Sequence, residues 1–557
     1  MPLKNSSTKK TKFIFVSGGV ISGIGKGLTA SSIAFLLKSA GYKVAPIKFE
    51  NYLNLDAGTI NPIEHGDPFL CEDGTEGDMD IGSYEKFLNE DMGRDNFVTI
   101  GRIYQTVIDR ERRFEYNGED VEAIPHITDE IISRMTSLAK KKDADIVVVE
   151  LGGTAGEYQN ILYYEASRIM TLKNPGDVVH IHVSYMPTPG HLGEPKTKPT
   201  QLSVRTLNGM GIQPDIIVAR SEKYLDQRRR DRFALFCNMH PEDIISNPDV
   251  ESVYEIPLTL HKQGIEKRIF EKLGLKVKSP NISSWEKVVN AAKSKKGKTV
   301  EIVIVGKYFG TGDYQLRDSY AALFDAIDHA SWEVGVEVKT RWVDAQEIEK
   351  KGVEVIGQPE GIIVPIGWGE RGAEGMITAA SYALKEKIPY LGLCYGMQLA
   401  AISYAREVLG WKDANTTEND GNTSHPVIHI IDSQKKLLEK RAYGGTMRLG
   451  GWEAMVKKGT RAYEIYKNAK KFINGKDGLT SERHRHRYEF NSSYAHDFEE
   501  AGLVISARSV AEDLVEIIEL PKESHPFFMG TQGHPEYKSR PMDPHPIFVE
   551  FLKSTSR

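Results

Sequence analysis

Short apolar runs alternate with helix-like stretches along most of the chain. In the first half, apolar runs that predict buried strands lie at 13–17, 43–49, 145–151, 177–183 and 214–219. The strand at 13–17 is followed by glycines and then by a helical pattern from Lys26 to Lys38. Strands that alternate with helices are typical of an α/β fold with a parallel sheet.

The alternation of strands and helices is interrupted once and then begins again, which predicts two domains. A charged stretch at 291–298 precedes a new apolar strand at 300–305. We therefore predict a polar tail at 1–11, a first domain at 12–277, a linker at 278–298 and a second domain at 299–557. A length of 557 residues agrees with more than one core.

Composition narrows the class of protein. The 72 basic and 77 acidic residues give a net charge of −5, which argues against a nucleic-acid-binding protein. The three cysteines, Cys71, Cys237 and Cys394, have no metal-binding spacing and do not suggest a disulfide framework. Because the sequence shows neither a long apolar run nor a signal peptide, we expect a cytoplasmic protein without membrane contact.

A glycine-rich loop, SGGVISGIGKGLT at 17–29, connects the first strand to the first helix. Glycines let backbone N–H groups approach phosphate oxygens, and the helix N-terminus adds positive potential. Lys26 would reach the terminal phosphates of ATP. The spacing is not that of a standard phosphate loop, since five residues separate Gly19 from Gly25 and Gly27 replaces the usual Ser or Thr. A glycine-rich turn of no function remains the alternative.

Carboxylates near this loop are candidate ligands for Mg²⁺, which prefers oxygen. Asp78 and Asp80 lie in one acidic stretch, and Glu150 ends a predicted strand. For each of them alone, capping a loop or a helix is the more common role. A further segment at 196–201, KTKPTQ, suits a second polyphosphate but could be a solvated basic turn.

The most specific passage is KIPYLGLCYGMQ at 387–398. A predicted strand runs into Gly392-Leu-Cys394-Tyr-Gly396, and a helix follows. This is the cysteine form of the nucleophile elbow, in which small flanking residues permit a sharp turn and the helix N-terminus stabilises a thiolate. An isolated cysteine would by default be an inert buried residue.

A thiolate nucleophile needs a base and a group that orients the base. His534 and Glu536, in GHPE at 533–536, follow a predicted strand at 526–530 and supply both. Backbone N–H groups of Gly367 and Tyr395 are the natural oxyanion donors.

Together these motifs resemble the CTP synthase family over residues 12–552. The specific features are KTKPTQ at 196–201, ERHRHRYE at 482–489, GTMRLG at 445–450, and YLNLD at 52–56 with His65-Gly66. The rival interpretations are another glutamine-dependent ATP amidoligase, similar to cobyrinic acid diamide synthase, and a catalytically silent filament-forming paralogue.

The resemblance implies an N-terminal P-loop-type amidoligase domain and a C-terminal α/β class I glutamine amidotransferase domain. It also implies ATP-dependent amination of UTP to CTP through a 4-phosphorylated intermediate, with ammonia from glutamine. Mg²⁺ would be the cofactor, GTP an activator, CTP a feedback inhibitor and the protein a homotetramer.

The resemblance carries site roles over to individual positions. Catalytic roles are implied for Cys394, His534, Glu536 and Lys48, and magnesium binding for Asp80 and Glu150. Nucleotide binding is implied for Ser22, Gly23, Ile24, Gly25, Lys26, Gly27, Asp80, Glu157, Tyr158, Gln159, Lys196, Thr197, Lys198, Pro199, Thr200, Gln201 and Arg232. Glutamine binding is implied for Gly367, Tyr395, Gly396, Met397, Gln398, Glu418 and Arg487. Gln159 stands where the family usually has an acid.

Overall fold

The computed structural model describes residues 10–61, 66–191, 193–294, 297–311, 314–315, 317–440 and 443–556. The chain forms two compact units. The first comprises the residues up to Asp56 together with Asp80–Asn290, and the second comprises Ala57–Met79 with Ala291–Arg557. His65 and most of the predicted polar tail lie outside the described residues. The segment Ala57–Met79 is the main difference from the simple division that the sequence suggests.

The described residues form the following strands and helices. The strands are β1 Lys12–Gly19, β2 Val44–Glu50, β3 Phe69–Leu70, β4 Glu76–Gly77, β5 Phe97–Thr99, β6 Ile146–Leu151, β7 Val178–Tyr185, β8 Ile216–Ser221, β9 Ile244–Pro248, β10 Thr299–Gly306, β11 Gly310–Thr311, β12 Tyr314–Gln315, β13 Glu337–Asp344, β14 Gly361–Val364, β15 Tyr390–Leu393, β16 Asn415–Thr416, β17 Pro426–Ile430, β18 Arg448–Val456, β19 Leu479–His486, β20 Tyr488–Phe490, β21 Val504–Ser509, β22 Val515–Glu519 and β23 Phe528–Thr531. The α-helices are α1 Lys26–Ser39, α2 Met79–Leu88, α3 Ile100–Arg112, α4 Thr128–Lys141, α5 Ile161–Lys173, α6 Lys198–Gly209, α7 Gln227–Cys237, α8 Ile256–His261, α9 Ile265–Lys272, α10 Ser283–Lys293, α11 Ala321–Val334, α12 Ala345–Lys351, α13 Ala373–Glu386, α14 Tyr395–Tyr404, α15 Asp432–Glu439, α16 Arg461–Asn468, α17 Ala495–Glu500 and α18 Pro546–Thr555.

The first unit is built on a parallel sheet of strand order β5-β2-β6-β1-β7-β8-β9. Central strand β1 is buried along most of its length. A parallel sheet is covered on both faces, which explains why its strands read as continuous apolar runs. The predicted α/β fold is confirmed. At the carboxyl ends of these strands, the register places Lys48 of β2 directly beside Glu150 of β6.

Part of the predicted linker is folded. Helix α10 lies inside the range 278–298, and its Trp285 is fully buried. The Trp285 ring lies 4.5 Å from Phe35, 5.0 Å from Phe87 and 5.8 Å from Tyr254, measured between ring centroids. The charged residues of the helix, Glu286, Lys287 and Lys293, are exposed, whereas Trp285 is buried, as in an amphipathic helix.

The second unit contains a mixed sheet of strand order β13-β10-β14-β15-β23-β22-β21-β18-β19. The strands from β13 to β23 pair in parallel, and the remaining pairs are antiparallel. Strands β15 and β23 are neighbours, with Leu393 opposite Thr531. The loops that follow these two strands therefore begin side by side.

The segment Ala57–Met79 packs within the second unit. Its strands β3 and β4 form a hairpin. Glu72 accepts a hydrogen bond of 3.1 Å from Nε of Arg483, and Glu76 accepts one of 2.6 Å from Nε of Arg485. Two of the three arginines of ERHRHRYE thus hold a hairpin from the first half of the sequence. Among the described residues, no helix has the length and apolar character needed to cross a membrane.

Candidate functional site

The glycine-rich loop lies between β1 and α1. Gly23 and Gly25 adopt φ values of +70° and +82°, which favour glycine. Lys26 begins α1, and its Nζ donates a 2.5 Å hydrogen bond to the carbonyl oxygen of Gly153. Ser22 is exposed and Ile24 is buried. The loop therefore presents backbone and Lys26 beside a helix N-terminus, as a phosphate site requires.

Gly27 lies against Asp80. A Cβ at position 27 would be 2.1 Å from Oδ1 of Asp80, so a side chain there would require the Asp80 carboxylate to move. In this structure the carboxylate of Asp80 occupies the space next to Gly27, where a standard phosphate loop has the side chain of Ser or Thr.

Lys48 is buried at the centre of a carboxylate cluster. Its Nζ pairs with Oδ2 of Asp80, and it lies 3.0 Å from Oε1 of Glu50 and 3.5 Å from Oε1 of Glu150. The other oxygen of Glu150 accepts a 3.0 Å hydrogen bond from the hydroxyl of Tyr84. Strand ends bring Lys48 and Glu150 together, and the start of α2 brings Asp80.

The pKa values of the two predicted magnesium ligands shift in opposite directions. Burial alone would raise the pKa of Asp80, but the charges of Lys48 and Lys26 hold that pKa below its usual value. Burial raises the pKa of Glu150 to about 7, with Lys48 opposing and Asp80 adding to the rise. The stronger burial of Glu150 thus makes it the carboxyl that gains most from a nearby cation.

The carboxylates fit a magnesium ion that is bound together with a nucleotide. Oε1 of Glu150 is buried and accepts no hydrogen bond from the described residues. Within the described ranges no cluster of three or more His, Cys, Asp or Glu side chains forms a complete metal site. Mg²⁺ is commonly held by one or two carboxylates with phosphates and water. Asp80 and Glu150 match that pattern, whereas Asp78 belongs to the second unit.

The KTKPTQ segment leads into a helix rather than forming a free loop. Thr197 is the N-cap of α6, and Pro199 lies in its first turn. The Thr200 hydroxyl donates to the carbonyl oxygen of Tyr185 at 3.2 Å, so this side chain faces inward. Nε2 of Gln201 donates to Oγ1 of Thr197 at 3.1 Å, while its Oε1 is buried without a hydrogen bond.

The two lysines of the KTKPTQ segment and the other nucleotide-site candidates are more accessible to solvent than Thr200 and Gln201. Nζ of Lys196 pairs with Glu194, and Nζ of Lys198 lies 5.6 Å from the centre of the Phe236 ring. Exposed side chains are found at Tyr158, Gln159 and Arg232.

The carboxylate of Glu157 accepts hydrogen bonds from neighbouring residues. It accepts a 2.8 Å hydrogen bond from the backbone N–H of Thr154 and a 3.0 Å hydrogen bond from Nδ2 of Asn51. These contacts support the turn that follows β6, at the same edge of the sheet as Glu150.

Cys394 lies at a strained turn between β15 and α14. Its φ of +53° is unusual for a residue other than glycine. A Cβ at Gly396 would lie 1.9 Å from the carbonyl oxygen of Val364, and one at Gly392 would lie 2.6 Å from the backbone of Gly396. Both flanking glycines are therefore required by close backbone contact. The local geometry is that of a nucleophile elbow.

His534 and Glu536 follow the adjacent strand. Nδ1 of His534 is 2.7 Å from Oε1 of Glu536, and both residues are buried. Nε2 of His534 makes no hydrogen bond within the described residues. Burial lowers the pKa of His534, but Glu536 and Cys394 outweigh it and raise this pKa to about 10. The arrangement can take a proton from Cys394 and hold it.

The remaining glutamine-site candidates line one cavity of 820 Å³ or lie beside Cys394. Glu418 accepts a 3.0 Å hydrogen bond from the N–H of Gly369, and burial raises its pKa. Nη2 of Arg487 donates to the carbonyl oxygen of Tyr443 at 2.7 Å. The cavity is lined by Gly58, Thr59, Ile60, Asn61, Trp368, Glu418, Tyr443, Met447, Arg485, Arg487 and Tyr488. Gly396, Met397 and Gln398 lie in the first turn of α14.

Lys307 is a functional candidate that the sequence analysis missed. It is buried, and its Nζ donates to the carbonyl oxygens of Trp368 at 2.7 Å and of Gly369 at 2.6 Å. Burial lowers the pKa of Lys307 to about 8. Its side chain also packs below Gly367, where a Cβ would be 2.8 Å from Cδ of Lys307. Lys307 thus supports the proposed oxyanion loop, and its place directly after β10 was the available signal.

Comparisons with known proteins show the family of this chain. The model for "CTP synthase N-terminus" matches residues 12–275, and the model for "Glutamine amidotransferase class-I" matches residues 315–554. A CTP synthase of Caldanaerobacter subterraneus subsp. tengcongensis is 47% identical over 98% of this chain and 98% of its own length. One from Pyrococcus abyssi is 47% identical with the same coverage of both chains. One from Sulfolobus acidocaldarius is 46% identical over 98% of this chain and 100% of its own. The chain belongs to the CTP synthase family.

Proposed function

We propose that this protein converts UTP to CTP, using ATP and ammonia released from glutamine. The observation that carries the proposal is that a single chain contains two sets of reactive residues, one in each unit. One unit holds Cys394 in a nucleophile elbow beside His534, and the other holds Lys26 and Lys48 beside a phosphate-type loop. The similarity to CTP synthases over 98% of the chain supports the choice of UTP as acceptor.

In the glutaminase reaction, the thiolate of Cys394 attacks the carboxamide carbon of glutamine. His534 accepts the thiol proton and returns it to the departing ammonia, while Glu536 holds the imidazolium. The N–H groups of Gly367 and Tyr395 stabilise the oxyanion. Water then hydrolyses the thioester, which gives glutamate and restores the thiol.

In the synthetase reaction, the glycine-rich loop and Lys26 hold the phosphates of ATP, and Lys48 lies near the transferred group. The 4-oxygen of UTP attacks the γ-phosphorus and releases ADP. Ammonia then adds at C4, and inorganic phosphate leaves with that oxygen. Asp80 and Glu150 would hold Mg²⁺, which neutralises phosphate charge.

Regulation and assembly are further parts of the proposal. We infer activation by GTP, feedback inhibition by CTP, a homotetramer and a cytoplasmic location, in keeping with the family. The KTKPTQ segment is proposed to bind the triphosphate of UTP or CTP through Lys196, Lys198 and the start of α6.

The CTP contact is where this chain departs from its family. Gln159 is exposed and neutral where an acid is usual. Hydrogen bonds to charged groups contribute about 1.5–3 kcal/mol, against about 1 kcal/mol for neutral ones. CTP should therefore inhibit Gln159→Glu about tenfold more tightly than wild type, because about 1.4 kcal/mol is a factor of ten. Equal inhibition constants would remove position 159 from the inhibitor site.

The main test is an absorbance assay for UTP-to-CTP conversion with ATP, Mg²⁺ and either glutamine or ammonia. Cys394→Ala should abolish the glutamine-dependent rate and leave the ammonia-dependent rate largely intact. Loss of both rates in a folded variant would refute the division of roles. Activation of glutaminase by a corrinoid carboxylate instead of UTP would favour the rival amidoligase, and inactivity with both nitrogen sources would favour the silent paralogue.

A further inference from the structure

We propose that Gln532 is an additional catalytic residue of the glutaminase site, which donates a hydrogen bond to the Cys394 thiolate and is held in that orientation by Gln398. The inference rests on the proposed glutaminase function. It assigns a role to a side chain that neither the elbow nor the His–Glu pair includes.

The two side chains meet because β15 and β23 are neighbours. Gln532 follows β23 directly, and its backbone N–H donates to the carbonyl oxygen of Glu516 at 2.8 Å. Its Nε2 lies 3.5 Å from Sγ of Cys394, and both residues are at most 2% exposed. The contact is buried, and the amide of Gln532 is a hydrogen-bond donor to the sulfur.

The orientation of the Gln532 amide follows from its partners. A carbonyl oxygen can only accept, so the atom of Gln398 that lies 2.9 Å from the carbonyl oxygen of Tyr488 is the amide nitrogen. The same nitrogen lies 3.1 Å from Oε1 of Gln532 and donates its second hydrogen there. With its oxygen occupied, Gln532 directs its NH₂ group at Sγ. If the amide of Gln532 were flipped, its NH₂ group would face the NH₂ group of Gln398, and its oxygen would face Sγ of Cys394.

This contact favours the thiolate over the thiol. Sγ also lies 3.8 Å from the carbonyl oxygen of Arg485. A thiol can donate to that oxygen, but a thiolate gains nothing from it. An N–H group, by contrast, bonds a charged acceptor more strongly than a neutral one. Once the proton has moved to His534, the imidazolium offsets the charge of the buried sulfur, and the amide of Gln532 adds a hydrogen bond that the thiolate accepts.

Gln532→Met tests the proposal because methionine keeps the length of the side chain and removes the donor. The readout is the rate of Cys394 alkylation by iodoacetamide in the free enzyme, followed by peptide mass spectrometry across pH. We expect the pH of half-maximal alkylation to rise by about one unit, so that the rate near neutral pH falls about tenfold. The kcat/KM for glutamine should fall by a similar factor, with ammonia-dependent synthesis unchanged.

Gln532→Glu is the second variant, in case the methionine variant fails to fold. One oxygen can still accept from Gln398, but the other faces the sulfur, so the alkylation profile should move further to high pH. Gln346→Met is the matched control, because Gln346 is half-buried in the same unit and its side chain makes no hydrogen bond within the described residues. Its profile should match wild type.

The outcomes separate this inference from the proposed function. Wild-type alkylation and glutaminase profiles in a folded Gln532 variant, with Cys394→Ala inactive toward glutamine, would overturn the inference alone. Retained glutaminase activity in Cys394→Ala would overturn the proposed function itself. A shift in both Gln532 variants, absent in Gln346→Met, supports the hydrogen bond.

Discussion

Glu536→Gln is the sharpest test of the proposed catalytic base. The substitution keeps the size and the acceptor oxygen that lies 2.7 Å from Nδ1 of His534, and it removes one negative charge. Both side chains are buried, so solvent screens the pair little. Glu536 is the largest contribution that raises the pKa of His534 against burial. The variant should therefore hold a proton on His534 less firmly.

The magnitude follows from the loss of charge assistance. A hydrogen bond to an ionised group contributes about 1.5–3 kcal/mol, against about 1 kcal/mol for a neutral bond. The difference of about 0.5–2 kcal/mol lowers glutaminase kcat/KM by about twofold to thirtyfold, since about 1.4 kcal/mol is a factor of ten. The upper part of this range is expected, because Oε2 of Glu536 is buried without a hydrogen bond and a buried polar amide at this position carries a desolvation cost.

The assay is glutamate release in the presence of ATP, UTP and Mg²⁺, measured as a function of pH. The alkaline limb of the profile should move to lower pH, because the pKa of His534 falls when the charge of Glu536 is lost. Glu482→Gln is the matched control: Glu482 is also a buried carboxylate paired with a histidine, 2.9 Å from Nε2 of His545. An unchanged profile in Glu536→Gln, or an equal shift in Glu482→Gln, would refute the assigned role.

Two further predictions concern Gly27 and Glu482. Gly27→Ala should abolish synthesis with either nitrogen source and spare glutaminase, because the new Cβ would lie 2.1 Å from Oδ1 of Asp80. The control is Gly190→Ala, which has open space around it and should be active. Synthesis by Gly27→Ala would contradict the contact between position 27 and Asp80. For Glu482, burial would raise the pKa, but His545 outweighs burial and lowers it to about 2. The carboxylate therefore adds stability above about pH 4.5, and this is lost as pH falls toward 2. The Tm deficit of Glu482→Gln should shrink between pH 5 and pH 3, and a constant deficit would show that the charge is not responsible.

Motifs could be predicted from the sequence where the residues that form them are close together in the chain. The turn at Cys394 needs only its flanking glycines and the strand before it, and the pairing of His534 with Glu536 spans two residues. The first-half strands were likewise predictable, since a sheet covered on both faces leaves uninterrupted apolar runs.

Contacts between distant positions were not predictable in the same way. Lys48 is placed beside Glu150 by the register of two strands about a hundred residues apart. Gln398 reaches Gln532 only because one follows β15 and the other follows the neighbouring strand. The hairpin at Ala57–Met79 joins the second unit through ion pairs with Arg483 and Arg485. Neither composition nor periodicity carries information about such pairings.

The glycine-rich loop shows how the structure resolves an irregular motif. The sequence lacks the hydroxyl residue that usually follows the lysine of a phosphate loop, and on spacing alone this weakens the prediction of ATP binding. In the fold, Gly27 leaves room for the carboxylate of Asp80, which pairs with Lys48 and lies near Lys26. An oxygen ligand is thus supplied beside the loop by a residue 53 positions further along the chain. Gly27 and Asp80 lie together at this point of the fold, so the irregular spacing is compatible with the proposed ATP site.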